Sequence, residues 1–281
     1  MRCKLVYAAL AIVAAPVPAL ANGVDNPYPA LRVMDGRVAA IEYRLRQSNV
    51  EWCAAKTEDA GFRSISTLDV PKKFLPIMLK AYDADTGFTG SLVSAVIPQS
   101  FAAQSGARVG EDQGIALNRI IARAPNLGRT HCAADVRVVA RDDMYAATDG
   151  FAVQISAALI NRTRDDDELA ALIAHELAHI ILDHPGTLKG KRSISRVKST
   201  ERDADRLSVW LMARAGYDPM AAVRFWTHYG PRRDKGIFNA PTHDNWKNRV
   251  ARLTSEITAM RVAQAADKNA RPTISGLRTY P

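Results

Sequence analysis

Apolar residues return at helical intervals from residue 29 onward. Leu31, Met34, Val38, Ile41 and Leu45 predict a helix over about 29–58. Pro71 and Pro76 then interrupt regular helix. Residues 91–97 (SLVSAVI) read as a strand, Pro98-Gln99-Ser100 as a turn and 101–105 as a short helix stopped by Gly106. Residues 135–140 (DVRVVA) form a second strand. Residues 144–148 and 151–155 flank Asp149-Gly150, a dipeptide suited to a hairpin turn. Thr163 and the acids Asp165, Asp166, Asp167 and Glu168 open the next helix, where negative charge meets the positive dipole end. Leu169, Leu172, Ile173, Leu177, Ile180 and Leu182 make that helix apolar nearly all round, which marks it as buried. A further helix follows, capped by Ser199 or Thr200 and ended by Gly216, with Ala204, Leu207, Leu211, Met212 and Ala215 as its inner stripe. A last helix runs over 246–260 with Asp244 as its cap. The tail from 266 to 281 is polar, carries Pro and Gly, and reads as mobile.

The start of the chain has a different texture. Arg2 and Lys4 precede an unbroken apolar run from 5 to 15. Pro16 and Pro18 end it, and Ala19-Leu20-Ala21 supplies small residues for cleavage after Ala21. The run is short for a membrane span, so residues 1–21 read as a cleaved signal peptide. No later stretch is long enough to span a bilayer. Loss of residues 1–21 removes two basic side chains and no acid, which takes the formal charge from +9 to +7. The bases are scattered apart from Lys189, Lys191, Arg192, Arg196 and Lys198, which read as a solvated loop. An exported protein seldom meets nucleic acid, and none is expected as a partner. Cys53 and Cys132 remain in the exported chain. One disulfide is the favoured reading in an oxidising compartment, with two separate buried thiols as the alternative. The 281 residues are 47% apolar and 24% charged, which suits a folded chain. Aromatics are only 7%, so the core must rest on Ala, Leu, Ile and Val.

Candidate chemistry sits inside the apolar helix. His175, Glu176 and His179 would be costly to bury without partners, and a metal removes the conflict. His175 and His179 are i and i+4, one turn apart on one face, so both imidazoles can meet one Zn2+. Glu176 is placed to hold a water beside that ion. This is the H-E-x-x-H pattern of zinc proteases. A catalytic zinc needs a third protein ligand and an open position. His184 is five residues past His179 and would point to another face of a continuing helix, so it reads as a helix-end residue. Glu201, on the next helix, is the third-ligand candidate. Asp205, one turn on, is placed to accept the free N–H of His175. The alternative leaves Glu201 at the helix start and pairs Asp205 with Arg202 or Arg206.

Two resemblances extend this reading. The stretch VIPQSFAAQSGARVGEDQGIALN resembles the middle of a PDZ domain, with strand, Pro/Ser turn, small-residue helix, Gly and then a Gly-Asp-like step before another strand. An unrelated small α+β region is the competing reading. HELAH, a basic loop and E-x-x-A-D together resemble the gluzincin proteases that include the CAAX prenyl, HtpX-type and BepA-type enzymes. The likeness runs over about 135–260. It implies His175, His179 and Glu201 as ligands of one zinc ion per chain, Glu176 as the catalytic glutamate and Asp205 as the acid behind His175. It also implies His243, in a Thr-His-Asp segment where the family has Thr-His-Pro, as an electrophile or a masking ligand. Arg249 would orient the acidic site residues.

The expected fold is α+β: a predominantly helical zincin-like catalytic domain with a small strand and hairpin sheet. The expected divisions are a helical segment at 22–68, the PDZ-like region at 69–128, the catalytic domain at 129–265 and the tail. The expected function is an exported zinc metalloendopeptidase, periplasmic in a Gram-negative bacterium, acting on unfolded or extended polypeptide in envelope quality control. The alternative is a chaperone-like or PDZ-type peptide binder with a masked zinc site. The sequence names neither the substrate nor the oligomeric state.

Overall fold

A computed structural model describes residues 28–125, 127, 130–148, 150, 152–189, 193–232 and 244–280. The signal-like segment, Asp149, Lys191, Arg192 and His243 lie outside these. The order is α1 (Tyr28–Ser48), β1 (Lys56–Glu58), β2 (Phe62–Ser66), α2 (Leu75–Ala81), β3 (Ser91–Val96), α3 (Phe101–Gln104) and α4 (Gln113–Arg123). There follow β4 (Thr130–Cys132), β5 (Asp135–Val139), β6 (Ala146–Thr148), β7 (Ala152–Ser156), α5 (Ala157–Ile160) and α6 (Asp166–Ile181). The chain continues with α7 (His184–Leu188), α8 (Ile194–Arg214), α9 (Met220–Tyr229) and α10 (Trp246–Ala266). The architecture is a predominantly helical α+β fold with small sheets, as expected.

The apolar helix α6 is its axis. Asp165 caps it by accepting from the Glu168 amide, and the Glu168 carboxylate accepts in turn from the Arg164 amide. Leu169, Ile173 and Leu177 are buried, and α6 packs on α8, α1, α9 and β6. The core is chiefly aliphatic, with Trp52 and Phe225 as its fully buried large rings. The sheet beside α6 has the order β5-β7-β6: β5 and β7 are parallel, and β6 and β7 form the hairpin, with Gly150 at φ 99 in its turn. β6 is therefore an edge strand.

Several boundaries differ from the sequence reading. α1 ends at Ser48 rather than near residue 58, because the Asn49 side chain donates to the Leu45 and Leu211 carbonyls and its backbone leaves helical geometry. Lys56–Glu58 then pairs antiparallel with β4. α8 begins two turns before the expected cap, because Ser193 already accepts from the Arg196 amide. Gly216, at φ 72, ends it as expected. Asn245, not Asp244, caps α10. Asp244 is engaged with Arg202 and Arg252 instead.

The PDZ-like stretch departs from its pattern after Gly110. Asp112 caps α4 by accepting from the Ile115 amide, so a helix stands where the resemblance implies a strand. Among the described residues of this region only β2 and β3 pair as strands, and an isolated bridge ties Leu92 on β3 to Asp112. The first turn of α1, with α2 and β3, encloses a small second core of Tyr28, Met78, Leu79, Tyr82 and Leu92. The rest of α1 packs into the main core through Val38, Ile41 and Leu45. One helix thus belongs to both halves. The tail is docked rather than free: Ile274 is buried, Arg206 donates to the Thr273 carbonyl and the Tyr280 amide donates to the Glu51 carbonyl.

Candidate metal centre

α6 and α8 are the most extensively packed pair of elements, and this pairing brings the sequence-predicted ligands together. His175 Nε2 and His179 Nε2 are 3.2 Å apart. Glu201 lies 3.4 Å from each, through Oε2 to His175 and Oε1 to His179. Tetrahedral coordination with bonds of about 2.0–2.1 Å places ligand atoms roughly 3.3–3.4 Å apart. The three donors therefore form one face of such a tetrahedron. Two imidazoles and a carboxylate are also a donor set that a borderline divalent ion accepts. On geometry and chemistry the residues fit a metal.

Each histidine is held from behind by a different group. Asp205 Oδ1 is 3.0 Å from His175 Nδ1. Asp205 in turn accepts from Arg249 Nε at 3.0 Å and Nη2 at 2.5 Å. Arg249 is buried and its guanidinium lies 4.1 Å from the centre of the Trp226 ring. Arg249 Nη2 is 3.1 Å from His175 Nδ1 and 3.4 Å from its Nε2. That position straddles both nitrogens and follows neither lone pair, which leaves the Nδ1 hydrogen for Asp205. On the other side, His179 Nδ1 is 2.9 Å from His184 Nδ1.

The ionisable groups of the site act strongly on one another. Burial and Arg249 oppose a charge on His175, but Asp205 and Glu201 outweigh them and raise its pKa to about 9. Burial and the neighbouring His175 push His179 down to about 3. Burial likewise lowers His184 to about 4. Burial works against the Asp205 charge, yet Arg249 and His175 hold its carboxyl below the usual range. A proton on His175 must therefore leave when a metal enters.

Glu176 lines the same cavity, of about 450 Å3. β6 forms one wall, and Leu172, Phe225, Trp226 and Leu253 form apolar walls. The cavity thus gathers His175, Glu176, His179, Glu201, Asp205 and Arg249, while His243 falls outside the described residues. Sequence reasoning placed His184 at a helix end, where it stands as the first residue of α7, but did not foresee its approach to His179, and it missed Trp226. The signal for His184 was present in Asp183-His184-Pro185-Gly186, a cap followed by Pro, which announces a new helix and voids the face counted along the old one.

No curated protein matches the chain. Residues 116–194 match Peptidase family M48, a span that takes in the hairpin and the HELAH helix and ends before Glu201. With His175, His179 and that glutamate drawn into one cluster, the match supports a gluzincin-type metallopeptidase similar to Peptidase family M48, an enzyme that hydrolyses peptide bonds.

Proposed function

We propose that the chain is an exported zinc-dependent endopeptidase that cleaves extended or unfolded polypeptide, with Glu176 as its general base. The observation that carries this is the triangle of His175, His179 and Glu201 atoms, with sides of 3.2–3.4 Å, in a cavity that Glu176 shares. Two nitrogens and one oxygen at tetrahedral spacing favour zinc among common divalent ions. When bound, zinc supplies Lewis acidity, which brings the pKa of water toward 7 and polarises a carbonyl.

The protein's own groups do the rest. Glu176 takes a proton from the attacking water and delivers it to the leaving amine. Asp205, fixed by Arg249, holds the His175 ring in one tautomer. The open edge of β6 pairs with the substrate backbone, which selects for extended chains and leaves sequence preference to the apolar walls. Export is supported by the signal-like segment at 1–21 and by the disulfide between Cys53 and Cys132, which needs an oxidising compartment. An envelope protease with a taste for unfolded chains suits protein quality control.

The test compares casein cleavage by the mature protein and by Glu176→Gln. The variant is expected to keep its zinc and lose about 10²–10⁴-fold in rate. Cleavage at the native rate would remove Glu176 from the reaction. Suppression of casein aggregation by both forms, without cleavage by either, would replace the enzyme with a peptide binder.

A further inference from the structure

α6 ends against a turn with an unusual backbone. Asp183 adopts φ 49 and ψ 44, a left-handed conformation that Asp tolerates better than most residues. Its amide donates to the Ile180 carbonyl, and its carboxylate accepts from the Gly186 amide at 3.2 Å. A Cβ at Gly186 would sit 2.5 Å from both Asp183 carboxylate oxygens, so this cap needs glycine there. Pro185 stands in the first turn of α7, where its missing N–H costs nothing. The outcome is a reversal that carries His184 back over the end of α6. Its ring is buried and meets His179 edge-on, with centroids 4.8 Å apart and Nδ1 2.9 Å from Nδ1.

We propose that His184 is a positioning residue for the metal centre: its Nδ1 accepts the hydrogen of His179 Nδ1 and so aims His179 Nε2 at the ion. The inference rests on the reading of His175, His179 and Glu201 as ligands. A metal on His179 Nε2 leaves the ring hydrogen on Nδ1, and that hydrogen needs a buried acceptor. The imidazole of His184 supplies one, which fixes its own hydrogen on Nε2. The two ligand histidines are then backed unequally. His175 has a carboxylate behind it and His179 a neutral ring. The strained turn keeps the second arrangement in place, which accounts for a left-handed non-glycine residue directly after the ligand helix.

The experiment measures zinc affinity by chelator competition in the mature chain and in His184→Asn and His184→Gln. The Asn amide oxygen falls where Nδ1 stands, and the Gln amide falls where Nε2 stands. Both replacements are polar, and thermal unfolding of the metal-free forms checks that both fold. His184→Asn is expected to bind zinc within about threefold of the native protein, and His184→Gln to lose about 10–100-fold. Equal affinities for the two variants would overturn the proposal, as would native affinity in His184→Gln. A native protein that binds no zinc would bring down the metal centre itself and this inference with it. Tight native binding that ignores the position of the amide would remove only His184.

Discussion

A buried arginine stands at the back of the metal centre, and its worth follows from what it would leave behind. Arg249 gives two hydrogen bonds to Asp205, lies over Trp226 and borders His175. Removing one member of a buried ion pair strands the other charge, which costs about 3–5 kcal/mol. Arg249→Met should therefore lower the unfolding free energy by about 3 kcal/mol in urea titration. Arg249→Lys should fall between, since it keeps the charge but loses the planar fork and the ring contact. A Met variant as stable as the native protein would mean that Asp205 does not depend on this partner. The sequence shows the two histidines and the glutamate between them because ionisable groups inside an apolar helix are too costly to bury without a ligand. It reaches Arg249 only through resemblance, since nothing local ties position 249 to position 205. His184 stands at a helix end as expected, but its contact with His179 was not legible: counting faces assumes that the helix continues, and the left-handed Asp183 ends it.

Among the elements, β6 carries the substrate hypothesis. Its neighbour in the sheet is β7, and the Ser156 amide donates to the Tyr145 carbonyl just before the strand begins. Antiparallel alternation then turns the amide and carbonyl of Ala147 toward Gln154 on β7, and those of Ala146 and Thr148 toward the open edge. Proline at position 146 removes an outward N–H and spares the ladder, a change that edge strands tolerate. Ala146→Pro should therefore fold normally yet lose at least about tenfold in kcat/KM on an unfolded substrate, the cost of one backbone hydrogen bond. Unchanged cleavage would detach the edge from substrate binding. The hairpin, the α6 start and the Gly216 stop were legible because short-range turn and cap chemistry decides them. The early end of α1 was not, because Asn49 bonds to the Leu211 carbonyl, a partner 162 residues away.

At the scale of the whole molecule, one end of α1 gathers several long-range ties. Arg46 is buried there, paired with Glu42 and Asp59, and it donates to the Cys132 and Ala134 carbonyls. Cys53 and Cys132 are bridged, with α carbons 5.0 Å apart and a separation of 79 positions in sequence. The docked tail reaches the same region through Tyr280 and Glu51. The sequence offered an even pair of cysteines and a polar tail, and no pattern of spacing could announce that the bridge and the tail meet beside α1. Loops of this length give a crosslink roughly 2–4 kcal/mol of stabilisation by restricting the unfolded chain. The Cys53→Ser/Cys132→Ser double variant should lose that amount in urea unfolding, and a reductant should bring the native protein to the same midpoint. The metal ligands sit on α6 and α8, away from the bridge in sequence, so zinc affinity in the folded variant should hold. A double variant as stable as the native protein would show that Arg46 and the tail suffice to hold this end.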